Sequence, residues 1–481
     1  MDFEAQSRAP YFEALADYVR SGVRSFHMPG HQQGLGAPAE LVELLGLGAL
    51  QADITQVLGM DDNHRADQQC GQAQRLAAQA YGAEHTYFLV NGSSCGNQSM
   101  LMTCLREDEL VLIPRNAHRS TLTGVMLSGA RAAYYENPFD EEMGVYHAAT
   151  LEGVTAVLDQ HPQARALFLT TPTYYGAAAD VHQLTALAHA RGLVVLVDEA
   201  WGPHLRFHPN LPPSAVEAGA DLVVQSSHKL VSGMSQASML HLRGDRVDRG
   251  RLESVLRMLQ TTSPSCLLLA SLDVARRQMA LKGLPLLTQA LELAERARAH
   301  LTRLGVRCYS HRPGVFGWDA TRLVFSLAER GFSGYEAEKF LRYRHNLQME
   351  MSDRINVVAL VTLGHGSADI DRLIEAVEDL CRQTPQQPLR ARQSRRQPRP
   401  ESRLTLKQAF NARWESVSLE QAQDRICVDT ICPYPPGIAW VVPGEVLTAG
   451  LIEALRVELA AGVTIQGAFD PQLETVRVVK E

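Results

Sequence analysis

Through the middle of the chain, short runs of β-branched and apolar residues alternate with longer segments of helical periodicity, which is the pattern of parallel βαβ units. The runs are TYFLV (86–90), ELVLI (109–113), ALFLT (166–170), LVVLV (193–197) and DLVVQ (221–225), and each ends in polar or small residues. The pattern predicts an α/β fold with a mostly parallel central sheet. In such sheets ligands bind beyond the carboxyl ends of the strands, so chemistry is sought there. From residue 276 the texture changes. Helical segments such as LTQALELAERARAHLTRLG precede two strand-like runs, RLVFSLA (322–328) and NVVALVTLG (356–364), and predict a smaller α+β domain. Between Arg382 and Arg403 lie seven arginines, four prolines and repeated glutamines, a composition that buries little apolar area and reads as a linker. The expected organisation is an N-terminal segment 1–65, a large domain 66–275, a small domain 276–384, a linker 385–403 and a C-terminal module 404–481.

Composition narrows the function classes. With 481 residues the chain is long enough for a core that needs no covalent staples, and its eight cysteines show neither paired CxxC spacing nor a nearby CxxH. Neither a disulfide framework nor a metal site is expected. The formal net charge of −7 disfavours a nucleic-acid partner, which selects for a basic excess. A first segment that mixes charge and polarity, with no 18-residue apolar stretch, points to a cytoplasmic protein without a membrane partner.

Several strand ends carry candidate chemistry. After the first run, NGSSCGNQSMLMTCL passes from a small-residue loop into a helix: Gly92, Ser93, Ser94, Cys95 and Gly96 allow backbone N–H groups to approach an anion at the helix's positive end. Taken alone, such loops are mostly turns. Beyond the second run stands His118, as a cap or as a ligand contact. LVVLVDEAWG places Asp198 after five apolar residues, where a carboxylate needs a partner, whether a structural arginine or a functional group. DLVVQSSHKL places Ser226, His228 and Lys229 together; a lysine there is either a surface charge or a desolvated, reactive amine. The conjunction is more specific than its members. A phosphate cradle, a ring-sized stacking residue, an aspartate, and a lysine 31 residues later are the parts that hold pyridoxal 5′-phosphate.

At this point the sequence resembles the ornithine/lysine/arginine decarboxylases, a family of fold-type I enzymes dependent on pyridoxal phosphate. The resemblance runs from about Arg24 to Val442. It is carried by FHMPGHQQG (26–34), DITQVLGMDD (53–62), NGSSCGN (91–97), PRNAHRS (114–120), TPTYYG (171–176), DEAWGPHLRFHP (198–209), GADLVVQSSHK (219–229) and CPYPPGIAWVVPGE (432–445). By similarity, Lys229 is the Schiff-base lysine, Asp198 pairs with the ring nitrogen, and His118 stacks on the ring. Ser93, Ser94 and Ser226 bind phosphate beside Gly92, and Trp201 and His228 line the same site. The resemblance implies loss of CO₂ from lysine, ornithine or arginine to give a diamine or agmatine, as in polyamine biosynthesis. Lys229 or His228 would return the proton to Cα.

A basic substrate needs an anion for its distal cation. Glu350, at a position resembling a family glutamate, is the candidate, with Asp53, Asp61 and Asp62 behind it. Thr173 and Tyr174 of the TPTYYG turn are further candidates for the cleft. Two departures from the family stand out: Gln32 where PGHK is usual, and Gln56 where DITEV is usual. They keep two alternatives open, another reaction of the same cofactor (transamination or elimination) and a non-catalytic regulatory homologue. The chain resembles the short form that lacks an N-terminal wing domain, and a homodimer or higher homo-oligomer is implied. The YPPGIAWVVPGE segment is expected to fold back near the active site.

Overall fold

The computed structural model describes residues 2–312, 314–385, 399–434, 437–460 and 462–480. Most of the expected linker (386–398) and Pro435 and Pro436 of the YPPG segment lie outside the described residues. The chain resolves into two compact units, Met1–Cys104 with Val194–Thr288, and Leu105–Leu193 with Gln289–Glu481.

In chain order the strands that matter for the site are β1 (His85–Leu89), β2 (Leu110–Pro114), β3 (Arg131–Tyr135), β4 (Ala166–Thr170), β5 (Val194–Asp198), β6 (Leu222–Gln225) and β7 (Ser238–Leu242). The helices are α1 (Gln69–Tyr81), α2 (Gly92–Cys104), α3 (Arg119–Ser128) and the single turn α4 (Ser227–Leu230).

The first unit holds four of these strands in the order β1-β7-β6-β5. β5 and β6 run parallel, with Asp198 opposite Val224, whereas β7 is antiparallel to both of its neighbours. α1 buries Ala73, Ala77 and Ala80 on one face and stops at Gly82, whose φ of 75° is the left-handed conformation that glycine adopts freely. Its apolar face joins Tyr11, Leu15, Ile54, Phe88, Met239, Leu269 and Leu272 in one core.

The second unit contains β4-β2-β3, all parallel. Every residue of β2 is buried, as expected for a parallel strand covered on both faces. The same unit holds a four-stranded sheet that includes Arg322–Ser326 and Asn356–Leu360, which are antiparallel and pack on a core containing Leu301, Leu323, Phe325, Val357, Leu373 and Val377.

The α/β class and the mostly parallel, mixed sheet agree with the sequence reading, and the five expected strands lie within one residue of their expected bounds. The shift matters at β5, because Asp198 is the strand's last residue and not the first beyond it. β3 and β7 escape the sequence reading. β7 (SMLHL) carries Ser238 and His241 among its five buried positions, so it reads neither as alternating nor as uniformly apolar.

Candidate active site

The first unit gathers most of the expected residues at the carboxyl ends of β5 and β6. Asp198 is 5% exposed. Its Oδ2 accepts a hydrogen bond from Asn97 Nδ2 at 2.7 Å, and its Oδ1 accepts one from the Ala200 N–H at 3.0 Å. Among the described residues no basic side chain is ion-paired with it. A carboxylate so buried, with two donors and no cation, suits a protonated nitrogen brought by a ligand.

Beside it, Ser226 follows β6 as the N-cap of α4, and its hydroxyl lies 2.7 Å from Ser93 Oγ, which in turn donates to Ser238 Oγ at 3.2 Å. The Ser227 hydroxyl is buried and has no hydrogen-bond partner. A hydroxyl cluster with spare capacity at the start of α2 suits a phosphate. Lys229, half-buried in α4, places Nζ 3.9 Å from the centroid of the Trp201 ring, itself buried. His228 donates from Nδ1 to the Ala237 carbonyl at 3.0 Å, which fixes its ring. The donor set therefore fits pyridoxal 5′-phosphate: an aspartate for the ring nitrogen, hydroxyls for the phosphate and an amine for the carbonyl.

The small-residue signal at 92–96 divides in two. Gly92 opens α2 with a φ of 73°. Gly96 serves packing: a Cβ there would lie 2.4 Å from Val224 Cγ2 and 3.0 Å from Leu89 Cδ1, so the glycine lets α2 lie close on the sheet. Ser93 and Ser94, expected in a loop, fall in the first turn of α2, where Ser93 is buried and Ser94 is exposed.

His118 and Glu350 belong to the second unit. His118 is the N-cap of α3; its Nδ1 accepts from the Ser120 N–H at 3.2 Å and lies 2.7 Å from Ser120 Oγ. The strand end that carries it is anchored to the C-terminal module of the same unit. Arg115 and Glu445 form a bidentate pair at 2.7 and 3.0 Å, Arg115 also donates to the Trp440 carbonyl, and His118 bridges Ile438 through the backbone. The IAWVVPGE stretch thus packs on the loop that presents His118. Glu350 is exposed; its backbone N–H donates to Val358, and its charge acts on the fully buried Arg322. Thr173 is buried, and its N–H donates to the Ala177 carbonyl.

Residues 9–314 match the family model for the major domain of the Orn/Lys/Arg decarboxylases, and residues 389–471 match the model for their C-terminal domain. The chain belongs to the Orn/Lys/Arg decarboxylase family. Within it, the chain is 37% identical to the arginine decarboxylase of Bacillus subtilis (strain 168) over 99% of both proteins, and 36% identical to that of Bacillus anthracis over 99% of this chain and 98% of the relative. Among solved structures, lysine decarboxylase A from Pseudomonas aeruginosa has the same fold, with a TM-score of 0.86 at 21% identity over 100% of this chain and 81% of that one. This decarboxylase is a carboxy-lyase acting on a basic amino acid, and its family and fold-type I relationships imply pyridoxal phosphate as cofactor. No helix among the described residues is long and apolar enough to cross a membrane.

Five side chains in this decarboxylase have hydrogen-bond partners that the sequence does not reveal. Asn97 holds Asp198; its signal was present in the NGSSCGN motif, but a helical asparagine has no sequence mark that reveals its partner. Asp61 and Asp62 cap backbone: Asp61 accepts from Gln68 and Cys70, and Asp62 from His64 and Arg65. Gln56 donates to Asp62 Oδ2 at 2.5 Å, and Gln32 donates to the His27 carbonyl at 2.8 Å, so both departures from the family pattern are satisfied locally.

Proposed function

We propose that this decarboxylase converts arginine and a proton to agmatine and CO₂. The single observation that carries the choice of substrate is the likeness to proteins named arginine decarboxylase over the full length of both chains. Bound pyridoxal phosphate supplies a carbonyl that captures the substrate's α-amine and a ring that takes up the electron pair left when CO₂ departs.

In this reading the chain's own residues do the rest. Lys229 contributes the amine that anchors the cofactor, and Asp198 keeps a proton on the ring nitrogen through a charge-assisted bond. Ser93 and Ser226 hold the phosphate, with Ser94 at the mouth of the same turn and Gly92 opening it. The Trp201 ring lies against the Lys229 ammonium. His118 stacks on the ring, and Lys229 or His228 delivers the proton to Cα. Glu350 receives the distal guanidinium, where a planar cation favours a carboxylate partner. The protein works as a cytoplasmic homo-oligomer on a small-molecule substrate. The domain division at 65, 275, 384 and 403 is part of the same proposal.

The test is a competition assay. Cofactor-loaded protein receives equal concentrations of arginine, lysine and ornithine, and the amines are read by mass spectrometry. Agmatine is the expected dominant product; cadaverine or putrescine in excess overturns the substrate, and no amine at all overturns the reaction.

A further inference from the structure

A chain of buried polar side chains crosses the first unit's sheet on the face opposite Asp198. Asp198 is the register partner of Val224, against which α2 packs; because side chains alternate along a strand, Glu199 and Gln225 point to the other face. There Glu199 Oε1 accepts from the Ala215 N–H at 2.7 Å, and Glu199 Oε2 lies 2.6 Å from Gln225 Nε2. Gln225 Oε1 lies 3.1 Å from His241 Nε2, and His241 Nδ1 lies 2.8 Å from Thr86 Oγ1. Thr86 and His241 are register partners on β1 and β7. Glu199 (1% exposed), Gln225, His241 and Thr86 are all buried, and Tyr81 of α1 stacks on the His241 ring at 4.8 Å. One hydrogen-bonded file therefore ties together four neighbouring strands. Two of its members directly adjoin Asp198 and Ser226 in sequence.

We propose that Glu199 is a positioning residue: through Gln225, His241 and Thr86 it locks the strand ends that present Asp198 and Ser226, and it does so best in its protonated form. The proposal rests on the reading that Asp198 and Ser226 hold the cofactor. Protonated, Glu199 donates to Gln225, whose amide, turned end for end, donates to His241 Nε2, and Nδ1–H of His241 then donates to Thr86. Ionised, Glu199 can only accept, and every bond in the file must reverse, leaving His241 with its proton on Nε2.

The surroundings favour the neutral state. Burial pushes the Glu199 carboxyl up to about 8 against the hydrogen bonds it accepts from Gln225 and Ala215, and the nearby carboxylates of Glu217, itself paired with Arg206, and of Asp198 add to the rise. Burial also holds His241 neutral, down at about 3, and Tyr81 protonated, so no cation in the file offsets a charge on Glu199.

The test uses the full chain without cofactor, titrated with pyridoxal phosphate, comparing wild type, Glu199→Gln and Glu199→Leu between about pH 6.5 and 9.5. The tautomer of His241 is followed by ¹⁵N NMR. The expected result is that wild-type affinity falls relative to Glu199→Gln by about fivefold or more as the pH rises past about 8, since one ionisation switches the file. His241 should move its proton from Nδ1 to Nε2 over the same range in wild type alone. Glu199→Leu should bind about fivefold or more weakly at pH 7, and Glu199→Gln should rescue that loss. If Glu199→Gln follows the wild-type pH dependence, or His241 keeps one tautomer throughout, the proposal is overturned; this comparison decides even where Glu199→Leu does not fold. Asp198→Ala and Ser226→Ala are titrated alongside. Undiminished affinity in both overturns the reading of the site itself, a result distinct from any in the Glu199 series.

Discussion

The side-chain amide of Asn97 donates to Asp198 Oδ2 over 2.7 Å, so the helix that begins at the serine turn also fixes the carboxylate at the end of β5. Two parts of the proposed cofactor site, the hydroxyl cluster and the acid, are thereby set by one element. Asp198 keeps its remaining hydrogen-bonding capacity for a ligand, because its other donor is the backbone of Ala200.

Asn97→Ala should therefore weaken catalysis without emptying the site. A hydrogen bond to a charged group is worth about 1.5–3 kcal/mol, which corresponds to a fall of about ten- to a hundredfold in kcat at saturating cofactor. Asp198→Ala should cost more. Steady-state kinetics on both variants check this, and an Asn97→Ala enzyme with wild-type kcat would deny the asparagine its role.

Gly96→Ala tests the close approach of α2 to the sheet. The added methyl would meet Val224 Cγ2 at 2.4 Å, and overpacking of this kind costs about 1–3 kcal/mol. Thermal unfolding should show a lower Tm, and Val224→Ala in the same chain should return part of the loss, because the two sites share one contact.

Much of this site was legible in the sequence because strand ends in an α/β sheet are punctuated by residue type. Asp198 follows an apolar run, Lys229 follows another, and glycines and serines mark the start of α2. What was not legible depends on tertiary contact. Asn97 looks like any helical polar residue until Asp198 is placed beside it, and Gly96 looked like part of an anion cradle until Val224 was seen beneath it. β7 was hidden because its buried histidine is satisfied by Gln225 and Thr86, partners far apart in sequence. Asp61 and Asp62 stand out as acids, yet their oxygens accept backbone N–H groups, those of Gln68 and Cys70 for Asp61 and of His64 and Arg65 for Asp62.

Arg115 and Glu445 make a buried bidentate pair, 10% and 2% exposed, that pins the C-terminal module to the end of β2. Removing one partner of such a pair leaves an uncompensated charge and costs about 3–5 kcal/mol, so Glu445→Ala and Arg115→Ala should each lower the unfolding midpoint markedly. The double variant Arg115→Ala with Glu445→Ala should lose less than the sum of the two single losses, because no unpaired charge is left behind. Denaturant unfolding of the four proteins closes the cycle, and strictly additive losses would mean the pair is not coupled.

Glu199 makes stability depend on pH in a definite direction. Its carboxyl is raised from 4.5 to about 8 by burial, so the unfolded chain releases this proton first. Its contribution is fully present below about pH 4.5, declines as the pH rises, and is lost once the pH passes about 8. The stability difference between wild type and Glu199→Gln should therefore move against wild type from pH 5 to pH 8.5. Urea midpoints at the two pH values measure it, and a difference that stays constant would show that Glu199 does not titrate in this window.

Chemical trapping decides whether this decarboxylase holds pyridoxal phosphate on Lys229. The sequence contains only five lysines, at 229, 282, 339, 407 and 480, so a label is easily mapped. Cofactor-loaded protein is reduced with borohydride, digested and sequenced by mass spectrometry. A pyridoxyl group on Lys229, absent from Lys229→Ala, is the predicted result; a label on any of the other four, or none, would contradict it.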